Sequence, residues 1–260
     1  MKQAKSKLLL TASIVLYKHD FKTVERAIRS FLSVPVTKKL YLINNDPSVE
    51  MEKFTHPEVD YISNDRNLGF AKGHNSILNK IMDQSYYHLV LNPDVYFDSE
   101  ILEHLVDTMN KDEELALIAP KVNYFDGSPQ LSCRRYPTLI GLASRRSPFV
   151  RRLFFKRYQR ETYQDQDLKQ AFSPDWVHGC FMLFRTSDFV EMKGFDERYF
   201  LYMEDVDICR KIDGLNKRKR YEAQVEIFHE LNRESVRNLT AFRHHIISIF
   251  QYFYKWGIKL

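Results

Sequence analysis

The sequence predicts an α/β protein with a mostly parallel, twisted sheet flanked by helices. Short apolar runs with strand character alternate with amphipathic helical patterns over the first hundred residues. Such alternation favours a sheet covered by helices on both faces. Of the 260 residues, 44% are hydrophobic and 14% are aromatic, which supports a sizeable core and argues against a disordered chain.

The predicted elements follow one another in a regular order. They are a strand at 8–17, a helix at 24–32, strands at 40–44, 59–63 and 87–92, a helix from the loop 64–75 through about residue 82, and a helix capped by Ser99. Later elements are a strand at 178–184, helices from about residues 187 and 204, a strand at 222–229, and an amphipathic helix at 239–256. Residues 127–172 are weakly periodic and are interpreted as a long lid. We expect one domain over 1–230 that includes this lid, and a C-terminal helical extension over 231–260.

Charge is unevenly distributed along the chain. The net charge is +5, yet residues 127–160 contain nine basic side chains and no acidic ones. Such a patch indicates an anionic partner: a phosphate, a nucleic acid or a membrane surface. Its arginines interleave with phenylalanines and leucines, which suits an anionic bilayer, while no base-reading module accompanies it. We therefore expect a membrane surface and no nucleic acid, with a solvated loop as the alternative.

The cysteines and the N-terminal run point to the cytoplasm. Cys133, Cys180 and Cys209 are odd in number, widely separated and without CxxC spacing, so they predict reduced thiols and not disulfides or a zinc framework. The apolar run after the first lysines is short and lacks a cleavage site, which favours a buried strand over a signal peptide. No segment approaches the ~18–20 apolar residues that span a bilayer.

Polar clusters follow three of the predicted strands, at 44–46, 64–67 and 92–94. Ligands bind beyond the carboxyl ends of parallel strands, so we expect these clusters to share one site. Asp94, just after a strand, can hold a divalent cation and a diphosphate, although Asn-Pro-Asp also forms ordinary turns. The glycines within 64–75 suit a phosphate or nucleotide cradle, or a flexible connection.

Three carboxylates lie inside the apolar stretch YFLYMEDVDI at 199–208: Glu204, Asp205 and Asp207. Burying an unpaired charge is costly, so these acids need a partner or a task. A partly desolvated carboxylate has a raised pKa and is a better general base. The alternative is an acidic first turn that complements a helix dipole. His229, at the end of a late strand, is a candidate metal or diphosphate contact, or a structural histidine.

Four motifs in order give the sequence a family resemblance. They are the polar end of the first strand–helix unit, N-x-x-N-x-G at 64–69, L-N-P-D at 91–94, and WVHGCFMLFR followed by GFDERYFLYMEDVDIC at 176–209. The sequence resembles glycosyltransferase family 2, which has the GT-A fold, and most closely its rhamnosyltransferase branch. The resemblance covers about residues 8–255.

The resemblance implies roles for individual residues. Asp94 matches a metal-binding aspartate, with Asn92 in place of a first acid, and His229 matches a histidine that approaches the metal, Mg²⁺ or Mn²⁺, and the diphosphate. Asp205 matches the catalytic base and Glu204 is expected to position an acceptor hydroxyl, on a floor of surrounding aromatic rings. Asp207 is expected to support the helix or pair with an arginine. The expected nucleotide-sugar contacts are Tyr17, Asn44, Asn67, Gly69, Asn75, Asn92, Asp94 and, by charge alone, Arg134 and Arg135.

The implied activity is inverting glycosyl transfer. The expected donor is dTDP-L-rhamnose and the expected acceptor is a polyprenyl-diphosphate-linked saccharide of cell-surface polysaccharide synthesis, such as O-antigen or cell wall. We expect a cytoplasmic protein held peripherally on the inner face of the membrane. The alternatives are another donor, UDP-galactofuranose or a UDP-hexose, and a non-catalytic scaffold that binds nucleotide sugar or membrane. A nucleotidyltransferase is disfavoured because no glycine-rich loop follows the first strand.

Overall fold

A computed structural model describes residues 8–19, 21–48, 56–230 and 239–258. The strands are β1 (Leu8–Leu16), β2 (Lys38–Asn44), β3 (Val59–Ser63), β4 (Ser85–Leu91), β5 (Val95–Tyr96), β6 (Leu115–Asn123), β7 (Cys133–Arg134), β8 (Trp176–Val177), β9 (Phe181–Arg185) and β10 (Arg218–His229). The helices are α1 (Phe21–Leu32), α2 (Gly69–Asn75), α3 (Leu78–Ile81), α4 (Glu100–Asn110), α5 (Leu139–Arg146), α6 (Pro148–Leu153), α7 (Phe155–Glu161), α8 (Thr186–Glu191), α9 (Glu204–Gly214) and α10 (Leu239–Trp256).

Eight strands form the central sheet, in the order β3-β2-β1-β4-β9-β6-β10-β5. The first four are parallel, β9 runs antiparallel to both of its neighbours, β6 and β10 are parallel, and β5 is antiparallel at the edge. The prediction of a mostly parallel sheet is confirmed. In the register of β1 and β2, Leu16 pairs with Asn44, so the polar segments that follow these strands lie at the same edge.

Both faces of the sheet are buried, which explains why the central strands are mainly apolar on both sides. One face packs against α1 and α4, with Ile14, Phe31 and Leu105 in its core. The other packs against α8, α9 and α10, and Phe184, Ile208 and Tyr252 lie in that core. Helix α9, which begins with the acidic residues, is therefore fixed directly against the sheet.

The segment 127–172 is more ordered than its weak periodicity predicts. It contains β7 and three short helices, two of which have clear start signals. The Thr138 hydroxyl accepts from the Gly141 N–H at 3.0 Å, and the Ser147 hydroxyl accepts from the Val150 N–H at 3.3 Å before Pro148 opens the helix. The helices are too short for the apolar period to show, and their caps are the only strong local signals.

Two other local predictions need correction. The helix expected through residue 82 is interrupted, because α2 ends at Asn75 and α3 begins at Leu78. Ser99 precedes α4 as predicted but has helical dihedral angles (φ −56°, ψ −36°), and its side chain makes no capping hydrogen bond. The carboxylates of Glu100 and Glu103 lie in the first turn instead, where they complement the helix dipole.

The C-terminal helix closes the core. Tyr252 and Phe253 of α10 are buried in the cluster that also contains Ile208 and Cys209 of α9. The Arg210 guanidinium donates to the Tyr252 hydroxyl at 2.9 Å. The boundary predicted at 230/231 adjoins residues 231–238, which lie outside the described residues. No helix in the described ranges combines the length and apolarity needed to cross a membrane.

Candidate active site

A cleft of about 400 Å³ opens at the carboxyl ends of β1, β2 and β4. Its walls come from the ends of these strands, from the start of α2, from the segment before α9 and from the end of β10. The lining residues are Val15, Tyr17, Lys18, His19, Thr23, Asn45, Asn67, Gly69, Phe70, Asn92, Pro93, Asp94, His178, Phe200, Leu201, Tyr202 and His229. Of the twelve predicted site residues, Tyr17, Asn67, Gly69, Asn92, Asp94 and His229 line this cleft.

Asp94 and His229 form the polar centre of the cleft. His229 Nε2 lies 3.3 Å from Asp94 Oδ1, and its Nδ1 lies 3.1 Å from the Gln130 side-chain oxygen, which orients the ring. Burial would lower the pKa of His229, but Cys180 and Asp94 outweigh this and raise it to about 10. Asp94 Oδ1 is buried and makes no geometrically good hydrogen bond within the described residues. The protonated His229 pairs with the Asp94 carboxylate, and once this proton is released the oxygen of Asp94 and the Nε2 nitrogen of His229 fit a divalent cation such as Mn²⁺ or Mg²⁺.

The N-x-x-N-x-G loop is shaped around Gly69. This residue has φ +79°, and a Cβ there would overlap with the carbonyl oxygen of Phe200, so only glycine fits. The Asn67 side chain accepts from the Gly69 N–H at 2.9 Å, and the Asn45 amide donates to the Gly69 carbonyl at 3.0 Å. These contacts fix the backbone at the edge of the cleft.

Two predicted nucleotide contacts lie elsewhere. The Asn44 side chain is buried in a turn, donating to the Asp46 carbonyl at 2.8 Å and accepting from the Asp46 N–H at 3.0 Å. The neighbouring Asn45 lines the cleft in its place. The Asn75 side chain donates to the Phe195 carbonyl at 2.8 Å and accepts from the Phe195 N–H at 2.9 Å. Asn75 therefore holds the segment before the acidic stretch and does not line the cleft.

The two arginines chosen by charge also lie away from the cleft lining. Arg134 is part of β7, which pairs with β8. The Arg135 guanidinium donates to Asp165 at 3.1 Å and to the Arg160 carbonyl, and it stacks over Tyr163 with 4.3 Å to the ring centre. Arg135 is a bridge within the lid, so its contacts are structural.

Glu204 and Asp205 have different environments despite being adjacent. Burial and the neighbouring Asp205 raise the pKa of Glu204 well above its usual range, and Glu204 Oε2 has no hydrogen-bond partner among the described residues. Burial also raises the pKa of Asp205, but His178 and the N–H groups of Val206 and Gly179 oppose the shift. These two N–H groups donate to its carboxylate at 2.8 and 3.2 Å. Of the two acids, Glu204 is favoured to keep its proton and Asp205 to ionise.

Asp205 is linked to the cleft through the segment that carries His178. Gly179, whose N–H donates to Asp205, follows His178, which lines the cleft, and the rings of His178 and His229 are 5.6 Å apart. The segment before Asp205 is strained: Tyr202 and Met203 have φ of 71° and 69°. Consecutive non-glycine residues in this region are costly and cluster at functional sites.

The aromatic floor consists of two rings, not the whole run. Phe200 and Tyr202 line the cleft; Phe200 stacks on His244 and Tyr202 packs at a tilt against His245 of α10, with ring centres 4.3 and 4.7 Å apart. Tyr199 is fully buried, and its hydroxyl donates to Asp207 at 3.2 Å. Asp207 lies in the first turn of α9 and pairs with Lys255 at 2.8 Å, whereas no arginine among the described residues forms an ion pair with it.

Sequence reasoning missed two residues that line the cleft and one partly buried arginine whose charge acts on Asp205. Lys18 follows β1 and offers a cation to the cleft, and His178 lies within a motif that carries the family resemblance but was assigned no role of its own. Arg145, in α5, carries its guanidinium 5.5 Å from the ring centre of Trp176. Burial and the charge of Arg134 lower the pKa of Arg145 to about 9, although Glu161 and Asp205 partly oppose this. Only the position of Lys18 after a strand gave a usable signal.

Comparison with known proteins decides the family. The model of glycosyl transferase family 2 matches residues 13–190, well over half of the chain. The chain belongs to glycosyl transferase family 2. The motifs at 64–69 and 91–94 fall inside this match, whereas the acidic stretch at 204–207 follows it.

The relatives of this family 2 protein include rhamnosyltransferases. It is 27% identical over 186 residues to the N-acetylglucosaminyl-diphospho-decaprenol L-rhamnosyltransferase of Mycobacterium tuberculosis (strain H37Rv), covering 67% of this chain and 59% of the relative. It is 39% identical over 79 residues to rhamnosyltransferase WbbL of Escherichia coli (strain K12), 30% of each chain. It is 23% identical over 193 residues to the low-salt glycan biosynthesis hexosyltransferase Agl10 of Haloferax volcanii, covering 73% of this chain and 58% of the relative. The chain thus spans less than two thirds of the length of these relatives.

Solved structures confirm the GT-A fold of this family 2 chain. The structure of GalNAc-T7 with UDP, GalNAc and Mn²⁺ superposes with a TM-score of 0.65 at 14% identity, covering 87% of this chain and 44% of that one. Staphylococcus aureus TarS 1–349 superposes with a TM-score of 0.57 at 14% identity, covering 85% and 60%. At this level of identity the likeness establishes the fold alone.

Proposed function

We propose that the protein is an inverting glycosyltransferase that moves L-rhamnose from dTDP-L-rhamnose to a polyprenyl-diphosphate-linked saccharide. The observation that carries the proposal is that two carboxylate groups with different surroundings, Asp94 and Asp205, lie in and beside one cleft. Asp94 and His229 form a cation-ready pair in the cleft, and Asp205 is a desolvated but ionisable carboxylate behind His178. Family membership and the rhamnosyltransferase relatives support the reaction class.

Each centre has one task in the reaction. Asp205 removes the proton from an acceptor hydroxyl, whose oxygen attacks the anomeric carbon from the face opposite the departing diphosphate. The configuration at that carbon is thereby inverted. Asp94 and His229 would hold a divalent cation, Mg²⁺ or Mn²⁺, which supplies positive charge to the leaving diphosphate. Glu204, with a pKa well above its usual range, keeps a proton with which it can donate a hydrogen bond to the acceptor.

The aromatic and glycine elements position the two substrates. Gly69 allows Phe200 to pack closely against the loop, because a side chain at Gly69 would overlap with the Phe200 carbonyl oxygen, and this packing shapes the cleft wall that meets the donor. Phe200 and Tyr202 present ring faces to the cleft, where the apolar faces of a sugar can pack. Contacts with His244 and His245 hold these rings from behind.

The acceptor proposal rests on an exposed apolar and basic surface. Helix α6 exposes Phe149 (77%) and Leu153 (67%) beside Arg151 and Arg152. Helix α10 exposes Phe250 (72%) and Tyr254 (90%). Arg146 of α5 links the lid to α10 by stacking over Phe242 at 4.6 Å. We propose that this surface rests on an anionic membrane, where a polyprenyl-linked acceptor resides, on its cytoplasmic side.

A second donor is the main alternative. The similarity to a hexosyltransferase of Haloferax volcanii favours a hexose donor other than rhamnose, such as a UDP-hexose. The fold and the two acidic centres would serve either donor. The alternatives differ in the nucleotide sugar consumed, which makes the donor the first quantity to measure.

The test is donor turnover by purified protein with Mg²⁺ or Mn²⁺. dTDP-rhamnose is compared with UDP- and GDP-sugars, using a lipid-diphosphate-linked N-acetylglucosamine as acceptor. Asp205→Asn should lower kcat about 10²- to 10⁴-fold while donor binding is retained, since only the proton acceptor is lost. Asp126→Asn, on an exposed turn, is the matched control. Turnover of another donor alone removes the rhamnosyl proposal. Full activity of Asp205→Asn removes the base assignment.

A further inference from the structure

Three side chains that commonly ligate transition metals converge at the floor of the cleft. They are His178 and Cys180, on the segment that enters β9, and His229 at the end of β10. One ligand atom of each lies within 4.8 Å of the other two. His178 and His229 line the cleft, while Cys180 is buried behind them. An ion can therefore reach the cluster from the cleft.

The spacing needs only a small contraction to bind a metal. In a tetrahedral site with metal–sulfur and metal–nitrogen bonds of about 2.3 and 2.1 Å, ligand atoms lie roughly 3.4–3.6 Å apart. The three atoms would each have to move by about 1 Å or less, which side-chain rotation supplies. Three protein ligands leave a fourth position open toward the cleft, as in catalytic zinc sites.

The backbone around these ligands is already fixed. The His178 N–H donates to the Ser132 carbonyl at 2.7 Å, and the Cys180 carbonyl accepts from the Asn92 N–H at 2.8 Å. The Gln130 side-chain oxygen lies 3.1 Å from His229 Nδ1, which places the hydrogen on that nitrogen in the neutral ring and leaves Nε2 as the ligand atom. His178 Nδ1 is buried and makes no hydrogen bond with any described residue.

The donor set selects a soft or borderline ion. Mg²⁺ prefers six oxygen ligands, whereas thiolate and imidazole favour Zn²⁺ and its neighbours in the first transition series. A metal binds the thiolate form of cysteine, so metal binding at Cys180 would release the thiol proton.

We propose that His178, Cys180 and His229 form a thiolate-containing transition-metal site of the Zn²⁺ class. The site differs in chemistry from the Asp94–His229 pair, and His229 is the residue that belongs to both. Because one imidazole nitrogen cannot serve two ions, Zn²⁺ at this site excludes a hard cation from His229. The inference does not depend on which sugar or acceptor the protein uses.

Cobalt titration of the metal-free 260-residue protein tests this site directly. Co²⁺ bound to a thiolate gives a sulfur-to-metal charge-transfer absorption in the near ultraviolet, and Zn²⁺ should abolish it by displacement. We expect the band in the wild type, its loss in Cys180→Ser, and a drop in Zn²⁺ affinity of at least about 100-fold. Cys133→Ser and Cys209→Ser, at the two other buried thiols, should keep the band.

A second variant keeps the test decisive. If Cys180→Ser fails to fold by circular dichroism, His178→Asn provides the comparison, and it should weaken Co²⁺ binding at least about tenfold. The proposal is overturned if the wild type binds Co²⁺ without a charge-transfer band, if Cys180→Ser keeps the band, or if either control loses it while folded. None of these measurements uses a sugar donor, so failure here leaves the transferase proposal intact, and inactivity as a transferase leaves this site intact.

Discussion

The Asp207 carboxylate anchors the C-terminal helix to the acidic turn, and Asp207→Asn tests that anchor. The side chain is fully buried and accepts from the Trp256 indole N–H at 2.7 Å and the Tyr199 hydroxyl at 3.2 Å. It also pairs with the Lys255 ammonium at 2.8 Å. Replacing the carboxylate with an amide removes the charge that Lys255 faces but preserves the volume.

The expected cost follows from these contacts. Removing one partner of a buried ion pair costs about 3–5 kcal/mol, because the remaining charge stays partly desolvated. Lys255 is 21% exposed and also pairs with Asp196 at 2.8 Å, which offsets part of the loss. We therefore expect the lower end, about 3 kcal/mol, which for a chain of this size corresponds to a fall in Tm of about 6–12 °C.

Urea denaturation followed by tryptophan fluorescence measures the loss, with the exposed Asp126→Asn as control. A double-mutant cycle with Lys255→Met isolates the Asp207–Lys255 pair from the contact that Lys255 makes with Asp196, since the second change should cost less once Asp207 is an asparagine. A free energy of unfolding within 1 kcal/mol of the wild type would refute the anchor. So would strict additivity in the cycle, because it would mean that the two charges do not interact in solution.

Two further predictions concern acid stability and the membrane surface. His88 is buried between the hydroxyls of Thr11 and Ser13, and burial lowers its pKa from 6.5 to about 3. The pKa of His88 is lower in the folded than in the unfolded protein, so the stability contributed by the neutral ring is fully present above pH 6.5 and is lost as pH falls toward 3. The free energy of unfolding falls by about 1.4 kcal/mol per pH unit, which amounts to about 2 kcal/mol at pH 5. His88→Gln should flatten the dependence of unfolding free energy on pH between 6.5 and 4, and an unchanged slope would contradict it. The double change Arg151→Gln with Arg152→Gln should lower the affinity for anionic vesicles, measured by co-sedimentation, about 30-fold, because each charge contributes about 1 kcal/mol. An equal loss of affinity for neutral vesicles would rule out charge attraction.

The sequence predicted the elements that follow hydrophobic periodicity, but not the direction in which a polar side chain points. The strands and helices of the first hundred residues show this periodicity because each of them buries apolar side chains in the core. Asn44 and Asn45 show the limit: one carboxamide turns back onto its own backbone and the other enters the cleft. Adjacent side chains on a strand point to opposite faces, so a shift of one residue decides which polar group meets the ligand.

Long-range partners were the other limit. The Asn75 carboxamide is hydrogen-bonded to the backbone of Phe195, 120 residues away. The Arg135 guanidinium is hydrogen-bonded to Asp165 within the lid. Their residue types fit a nucleotide site equally well, and only the tertiary fold shows that their hydrogen bonds are already used. Sequence reasoning assigned no role to His178, because its neighbours form an apolar strand pattern that does not indicate a histidine cluster. The cluster exists because β9 lies in the same sheet as β10, separated from it by β6.

The three acids of α9 can share one helical turn because the fold gives each a different electrostatic environment. Side chains one or two positions apart on a helix do not face one another, so the Asp205 carboxylate projects away from those of Glu204 and Asp207, which are three positions apart and lie on the same side of the helix. Asp207 is neutralised by Lys255, Asp205 is held by two backbone N–H groups, and Glu204 is left to keep its proton. The positive φ angles of Tyr202 and Met203 turn the chain sharply into this helix, at a cost of about 1–2 kcal/mol for each residue. Contacts made by α10 on both sides of the turn, to the rings before it and to Asp207 after it, offset that strain and connect the C-terminal helix to the position of Asp205.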